Sequence, residues 1–171
     1  SENSYFFAGR LPLRGDFVVT LIDQSFPLSL INVHMKCCDS GLSRRQKAVE
    51  MLHDYVAEEV NAGNTNFIIL GDWNDDLKDS YYEHSFHPFL EDDYFYFPTA
   101  DITHDSEQAS YPHEPYVSFL DHILVTEKLV PRDSGYEVKT IPLDEYMGGM
   151  AIYEAYISDH MPVLLSFPIG K

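Results

Sequence analysis

Carboxylates, imidazoles and an amide recur at the ends of apolar runs. Asp72 and Asn74, in Gly-Asp-Trp-Asn-Asp, directly follow Phe67–Leu70. Asp121 and His122 directly precede Ile123–Val125, and Ser158, Asp159 and His160 precede Val163–Phe167. Within Leu30–Met35, period-two alternation puts Asn32 and His34 on one face and Ile31, Val33 and Met35 on the other. Gathered in one place, such groups could perform general acid–base chemistry. They could also hold a hard divalent cation through oxygen, which reverses the sign of an acidic site and lets it accept a phosphate. Each cluster alone has a plainer reading: a tight turn after a strand, a cap before one, a packed imidazole. If the second and third of these strands run antiparallel to the first, all three clusters meet at one rim of a sheet, and His34 reaches it too.

The elements that must position them are legible from patterning. Phe17–Ile22 reads as a strand, with a turn around Pro27 and a hairpin partner over Leu30–Met35. Ser43 is expected to N-cap a helix running to about Val60, with Val49, Leu52, Val56 and Val60 on its apolar face. Phe67–Leu70 is a short continuous apolar run, as in a strand covered on both faces. Residues 75–118 read as mostly irregular with a short helix near His87–Leu90, and strands follow at Ile123–Val125, Val138–Ile141 and Val163–Phe167. The fold class is α/β (α+β).

Composition narrows the function classes. The 171 residues suit a single domain, and the 44% apolar share excludes a disordered tail or a fibre. No run of ~18 apolar residues occurs, so no membrane-spanning helix is expected. The opening SENSYFFAGRLPLRG lacks the basic-then-apolar pattern of a leader. Cys37 and Cys38 are adjacent, which excludes a disulfide scaffold and a Cys-x-x-Cys zinc site; two partly buried thiols at a strand end are the plainer reading, with redox chemistry the alternative. With 28 acidic against 11 basic residues the net charge is −17, which opposes unaided electrostatic capture of a nucleic acid.

Several residues are read as structural. Asp75, Asp76, Asp92 and Asp93 are expected to be solvated loop charges, and Arg44 and Arg45 a solvated helix face. Trp73 is expected to pack under the Asp72 loop, and Tyr94–Phe97 to be core or strand. His122 is expected to point away from the site.

Asn-Val-His-Met-Lys, Gly-Asp-Trp-Asn-Asp, Phe-Leu-Asp-His-Ile-Leu-Val and Ser-Asp-His-Met-Pro-Val, in this order, resemble the motifs of the endonuclease/exonuclease/phosphatase (deoxyribonuclease I-like) superfamily. Ser-Arg-Arg-Gln-Lys-Ala-Val-Glu-Met-Leu resembles the Arg- and Gln-bearing helix that follows the family's His strand. The likeness covers roughly residues 10–168. It implies part of a four-layer αββα sandwich and metal-dependent hydrolysis of phosphodiester or phosphomonoester bonds, by a nuclease or a small-molecule or lipid-headgroup phosphatase. It implies Mg²⁺ or Mn²⁺ as cofactor, with Asp159 touching the metal. Asp72 would orient the attacking water, with Asn74 holding the water or a phosphate oxygen. His160 would contact phosphate or act as base, and Asp121 would fix its tautomer. His34 would bind phosphate or protonate the leaving group, and Asn32 would line the substrate site.

The sequence departs from the family in one respect. The family's N-terminal half, with an Asn and a metal-binding Glu, has no counterpart before Arg10-Leu11-Pro12-Leu13, and Glu2 and Asn3 lie too close to that segment. The chain therefore reads as the C-terminal portion of one such domain, expected to self-associate or to pair with its N-terminal half. The alternative reading is a catalytically incomplete binding or scaffold module that keeps the fold.

Overall fold

The computed structural model describes residues 2–21 and 24–169. A short helix α1 (Glu2–Phe6) precedes an antiparallel pair, β1 (Leu13–Leu21) and β2 (Gln24–His34). Both strands are longer than their patterning indicated, and Ile22, expected in the first, lies outside the described residues. Pro27 is not in a turn: it sits inside β2 opposite Val18. Its carbonyl accepts from Asn66 Nδ2 at 2.9 Å, so its nitrogen faces the same flank, where pairing with the next strand starts only at Ser29. A missing N–H there costs no ladder bond.

Helix α2 (Leu42–Asn61) follows, then β3 (Phe67–Asp72), parallel to β2. A parallel pair needs a crossover of this kind. Ser43 is not the cap. Gly41 is, without a side-chain bond, because the chain is tight there: a Cβ on Gly41 would lie 2.9 Å from the Lys36 carbonyl. After α3 (His87–Leu90) and β4 (Phe95–Tyr96) comes β5 (Asp121–Thr126), antiparallel to both β3 and β4. The sheet order is β1-β2-β3-β5-β4.

The buried face of α2, with Ala48, Val49, Leu52 and Val56, packs on Ile31, Val33, Phe67, Ile69 and Leu124 of that sheet. Trp73, Phe86, Phe89 and Phe97 extend the same core. Trp73 is fully buried and its Nε1 donates to the His122 carbonyl at 3.1 Å, the packing role read from sequence. Tyr94–Phe97 likewise supplies core and strand.

β6 (Glu137–Thr140), α4 (Leu143–Tyr146), α5 (Met150–Tyr156) and β7 (Val163–Ser166) complete the chain. The expectation that the His160 strand shares the main sheet is wrong: β7 pairs with β6 in a separate two-stranded sheet. Val163 and Leu165 lay that sheet over Ile68, Leu70, Ile123 and Val125, the face opposite α2. Helix, five-stranded sheet and second sheet thus stack in the order of an αββα sandwich, and the fold is mixed α/β as expected. The second sheet covers the β3–β5 part of that face, whereas Leu13 and Phe17, which share it by register with Asn32 and Leu28, are exposed. Among the described residues no helix is long and apolar enough to cross a membrane.

Candidate active site

Strand polarity assembles the site. β2 and β3 end at the same rim and β5 starts there, so His34 stands opposite Asp72 and Asp72 opposite Asp121, one rung across three strands. Rung partners project to the same face. Two residues deeper, Asn32, Leu70 and Ile123 form the parallel rung, and Leu70 and Ile123 meet β7, so the His34–Asp72–Asp121 rung faces the second sheet. His160, just ahead of β7, closes onto it with Nδ1 2.6 Å from Asp121 Oδ2.

Asp72 is held from several directions. The Asn74 backbone N–H donates to Oδ1 at 2.8 Å and Asn74 Nδ2 to Oδ2 at 2.7 Å. His34 Nε2 lies 3.2 Å from Oδ2. Asn74 reaches back because its φ is +53°, a left-handed conformation that Asn tolerates better than most residues. Gly71 makes the close approach of β2 and β3 possible: its φ is +131° and a Cβ would lie 2.1 Å from the Val33 carbonyl.

The electrostatics follow from burial and proximity. Burial, then the neighbouring Asp121 charge, raises the Asp72 carboxyl above its ordinary range, against the pull of the Asn74 N–H, His160 and His34. The hydrogen bond to Asp121 raises His160 in spite of burial. Candidate ligand atoms of Asp72, Asp121 and His160 all lie within 4.8 Å of one another. Two crowded carboxylates with one imidazole suit a divalent cation, and Mg²⁺ keeps several of its waters, so few protein ligands suffice.

These residues line a cavity of about 950 Å³ with Asn74, Asp159, Arg10 and Tyr111. Asp159 is exposed at its wall and stands outside the three-residue cluster; its carbonyl is bonded to His113 Nε2 at 2.9 Å. Asn32 is exposed on the open part of the sheet and is not among the cavity residues. His122 points to the opposite face as read: Nε2 donates to the Asp75 carbonyl and Nδ1 accepts from the Thr99 hydroxyl, both at 3.1 Å. Complete burial pushes it down to about 4, so its ring is neutral.

Two expectations fail here for some of their residues. Arg45 is buried, not solvated. Its Nη2 pairs with Asp75 Oδ1 at 2.9 Å and its Nη1 donates to the Lys36 and Cys38 carbonyls, both at 2.8 Å. Arg44 lies over the Tyr5 ring and bonds the Tyr5 carbonyl. Asp75 and Asp76 are 4% and 3% exposed, so they are not loop charges. Burial favours a neutral Asp76. The Thr103 hydroxyl at 2.6 Å, the Phe119 N–H at 2.9 Å and Lys78 outweigh it and hold the carboxyl below its usual range. Asp92 is half-buried, with His53 Nε2 3.1 Å from its Oδ2. The signal for Arg45 was present: it falls in the apolar stripe with Ala48, Val49, Leu52 and Val56, where a cation requires a buried partner. Tyr111, whose ring centre is 5.2 Å from that of His160, and Arg10 carried no comparable signal.

Among curated proteins, none matches the chain by sequence. Solved structures do. Over 85% of this chain and 53% of its own, the Bacteroides thetaiotaomicron VPI-5482 mannosyl-6-phosphatase superposes with a TM-score of 0.50 at 22% identity. The human Nocturnin catalytic domain with bound sulfate anion gives 0.57 at 15% identity, over 92% of this chain and 53% of its own. D. rerio TDP2 complexed with single strand DNA product gives 0.54 at 19% identity, over 95% and 64%. These likenesses show the fold, and the chain spans about half the length of the first two. The model of the Endonuclease/Exonuclease/phosphatase family matches residues 5–160, so the chain belongs to that family.

Proposed function

We propose that this chain carries the C-terminal share of a divalent-metal-dependent phosphoester hydrolase. The observation that carries the reading is the rung His34–Asp72–Asp121 with His160 closing onto it at 2.6 Å. Family membership, the mannosyl-6-phosphatase and the TDP2 structure with its single strand DNA product support the same reaction class.

In this reading Asp72 is the base that orients the attacking water, its carboxyl raised by burial and by the neighbouring Asp121 charge. Asn74 fixes the carboxylate in place. Asp121 accepts from His160 Nδ1, fixes the ring and favours the imidazolium, leaving Nε2–H to donate to a phosphoryl oxygen as its charge grows. His34, more exposed, binds phosphate or protonates the leaving oxygen. Asp72 and Asp121, with Asp159 at the wall and a Glu from the N-terminal half, would hold Mg²⁺ or Mn²⁺, which supplies polarisation of the phosphoryl group. Asn32, on the uncovered sheet, is assigned to substrate only once that half is in place.

Charge orders the substrates. A net charge of −17 and a cavity that also carries Asp39, Asp79 and Glu83 favour a small sugar-phosphate or lipid-headgroup ester over a polyanionic strand. The exposed Leu13 and Phe17 beside β2 support pairing of this face with the N-terminal half, or self-association in its absence. A monodisperse monomer in light scattering would count against that. The function is tested by assaying a protein that includes the N-terminal half, with Mg²⁺ or Mn²⁺, against single-stranded DNA, bis-p-nitrophenyl phosphate and inositol phosphates. The small esters are expected to be hydrolysed faster; no hydrolysis of any would favour the scaffold alternative.

A further inference from the structure

Cys37 and Cys38 follow β2 three and four residues after His34, and both line the cavity. The Cys38 thiol donates to Cys37 Sγ across 2.9 Å, and Lys36 Nζ donates to the same sulfur at 3.3 Å. Two donors on one sulfur favour its thiolate, and the Cys37 thiol is held below its ordinary value by Cys38 and then by Lys36. Cys38 has φ +70° and ψ 164°, a region of backbone space essentially reserved for glycine. That strain is held from the core side: Arg45, buried against Asp75, donates to the carbonyls flanking Cys37, those of Lys36 and Cys38.

A thiolate in contact with a neighbouring thiol, on a strained and anchored backbone, is poised for one reaction. A disulfide between adjacent residues is itself strained, and strained disulfides have the more oxidising potentials of labile, reversible bonds. We propose that Cys37 and Cys38 form a reversible two-electron redox site in the wall of the cavity, oxidised by a hydroperoxide and restored by a dithiol. The Cys37 thiolate attacks the peroxide oxygen, breaking the O–O bond and becoming a sulfenic acid, with one water released after protonation. Cys38 sulfur then attacks the Cys37 sulfur, forming S–S and expelling the sulfenic oxygen as a second water. Two thiols and one hydrogen peroxide become one disulfide and two waters. A dithiol reductant reverses the change by exchange, ending as its own disulfide.

The chain has only these two cysteines, so mass reports the state directly and independently of hydrolase activity. Protein exposed to hydrogen peroxide is quenched into acidic denaturant, alkylated with N-ethylmaleimide and weighed intact. A monomer lacking two hydrogens and carrying no maleimide is expected, with two adducts returning after dithiothreitol. It should form at least roughly tenfold faster in the folded chain than in urea, since folding supplies the activated thiolate. Cys38→Ser should instead stop at a sulfenic acid. Equal rates folded and unfolded, an interchain dimer, or sulfinic acid without the disulfide would overturn the proposal.

Discussion

Asp121 opens β5 of the five-stranded sheet and His160 precedes β7 of the two-stranded one, yet Asp121 Oδ2 and His160 Nδ1 meet at 2.6 Å. This pair joins the two sheets at the rim, and its protonation is coupled to the packing of one on the other. Because His160 is raised in the folded state, its contribution to stability is fully present below the ordinary imidazole value of 6.5. That contribution is lost as pH rises through the higher folded value. Asp121→Asn should lower the His160 titration midpoint, read by NMR of the imidazole, and flatten the decline of stability above pH ~6.5. An unchanged midpoint would show that Asp121 does not set the charge of the ring.

Asn74→Gly keeps the left-handed backbone but removes the side-chain donor on Asp72 Oδ2. The Asp72 carboxyl, already raised by burial and Asp121, should rise further, visible as an upward shift of its carboxyl carbon titration. The sign for stability is opposite to that of a paired carboxylate. A raised folded carboxyl withdraws stability as pH rises from its ordinary value through the folded one.

Arg45 and Asp75 are 4% and 2% exposed in their side chains and in contact at 2.9 Å. Removing one partner leaves an uncompensated buried charge. Arg45→Met or Asp75→Asn should therefore cost about 3–5 kcal/mol in denaturant unfolding. Arg45→Met combined with Asp75→Leu should recover much of that loss, and additive losses would contradict the pairing.

Gly71→Ala meets the Val33 carbonyl with a Cβ at 2.1 Å, where only backbone can give way. A loss of more than ~1 kcal/mol is expected, with faster amide exchange along β2 and β3. An alanine variant as stable as the parent would show that the two strands can separate freely.

The placement of the site was largely readable because strand ends announce themselves. One apolar run stops just before Asp72 and two others start just after Asp121 and His160, and period-two alternation puts His34 on the face of Asn32. The sheet to which β7 belongs was not readable, because Val163–Ser166 would pattern alike in either sheet. Arg45, Asp75 and Asp76 were misread for a related reason. Charge in a loop is normally solvated, and only the position of Arg45 within the apolar stripe of α2 argued otherwise. Pro27 misled because a proline in a strand is tolerated only where its flank lacks a partner, which depends on where β3 begins.

The central claim is that His160, set by Asp121 above Asp72, does chemistry on a phosphoester. It is tested most directly by kcat for bis-p-nitrophenyl phosphate with Mg²⁺ or Mn²⁺, measured for His160→Ala in a protein that includes the N-terminal half. The loss predicted is several orders of magnitude with the fold intact by circular dichroism, since a single donor aimed at charge developing in the transition state is worth roughly 100-fold or more. A folded variant that keeps more than about a tenth of the parent activity would contradict it.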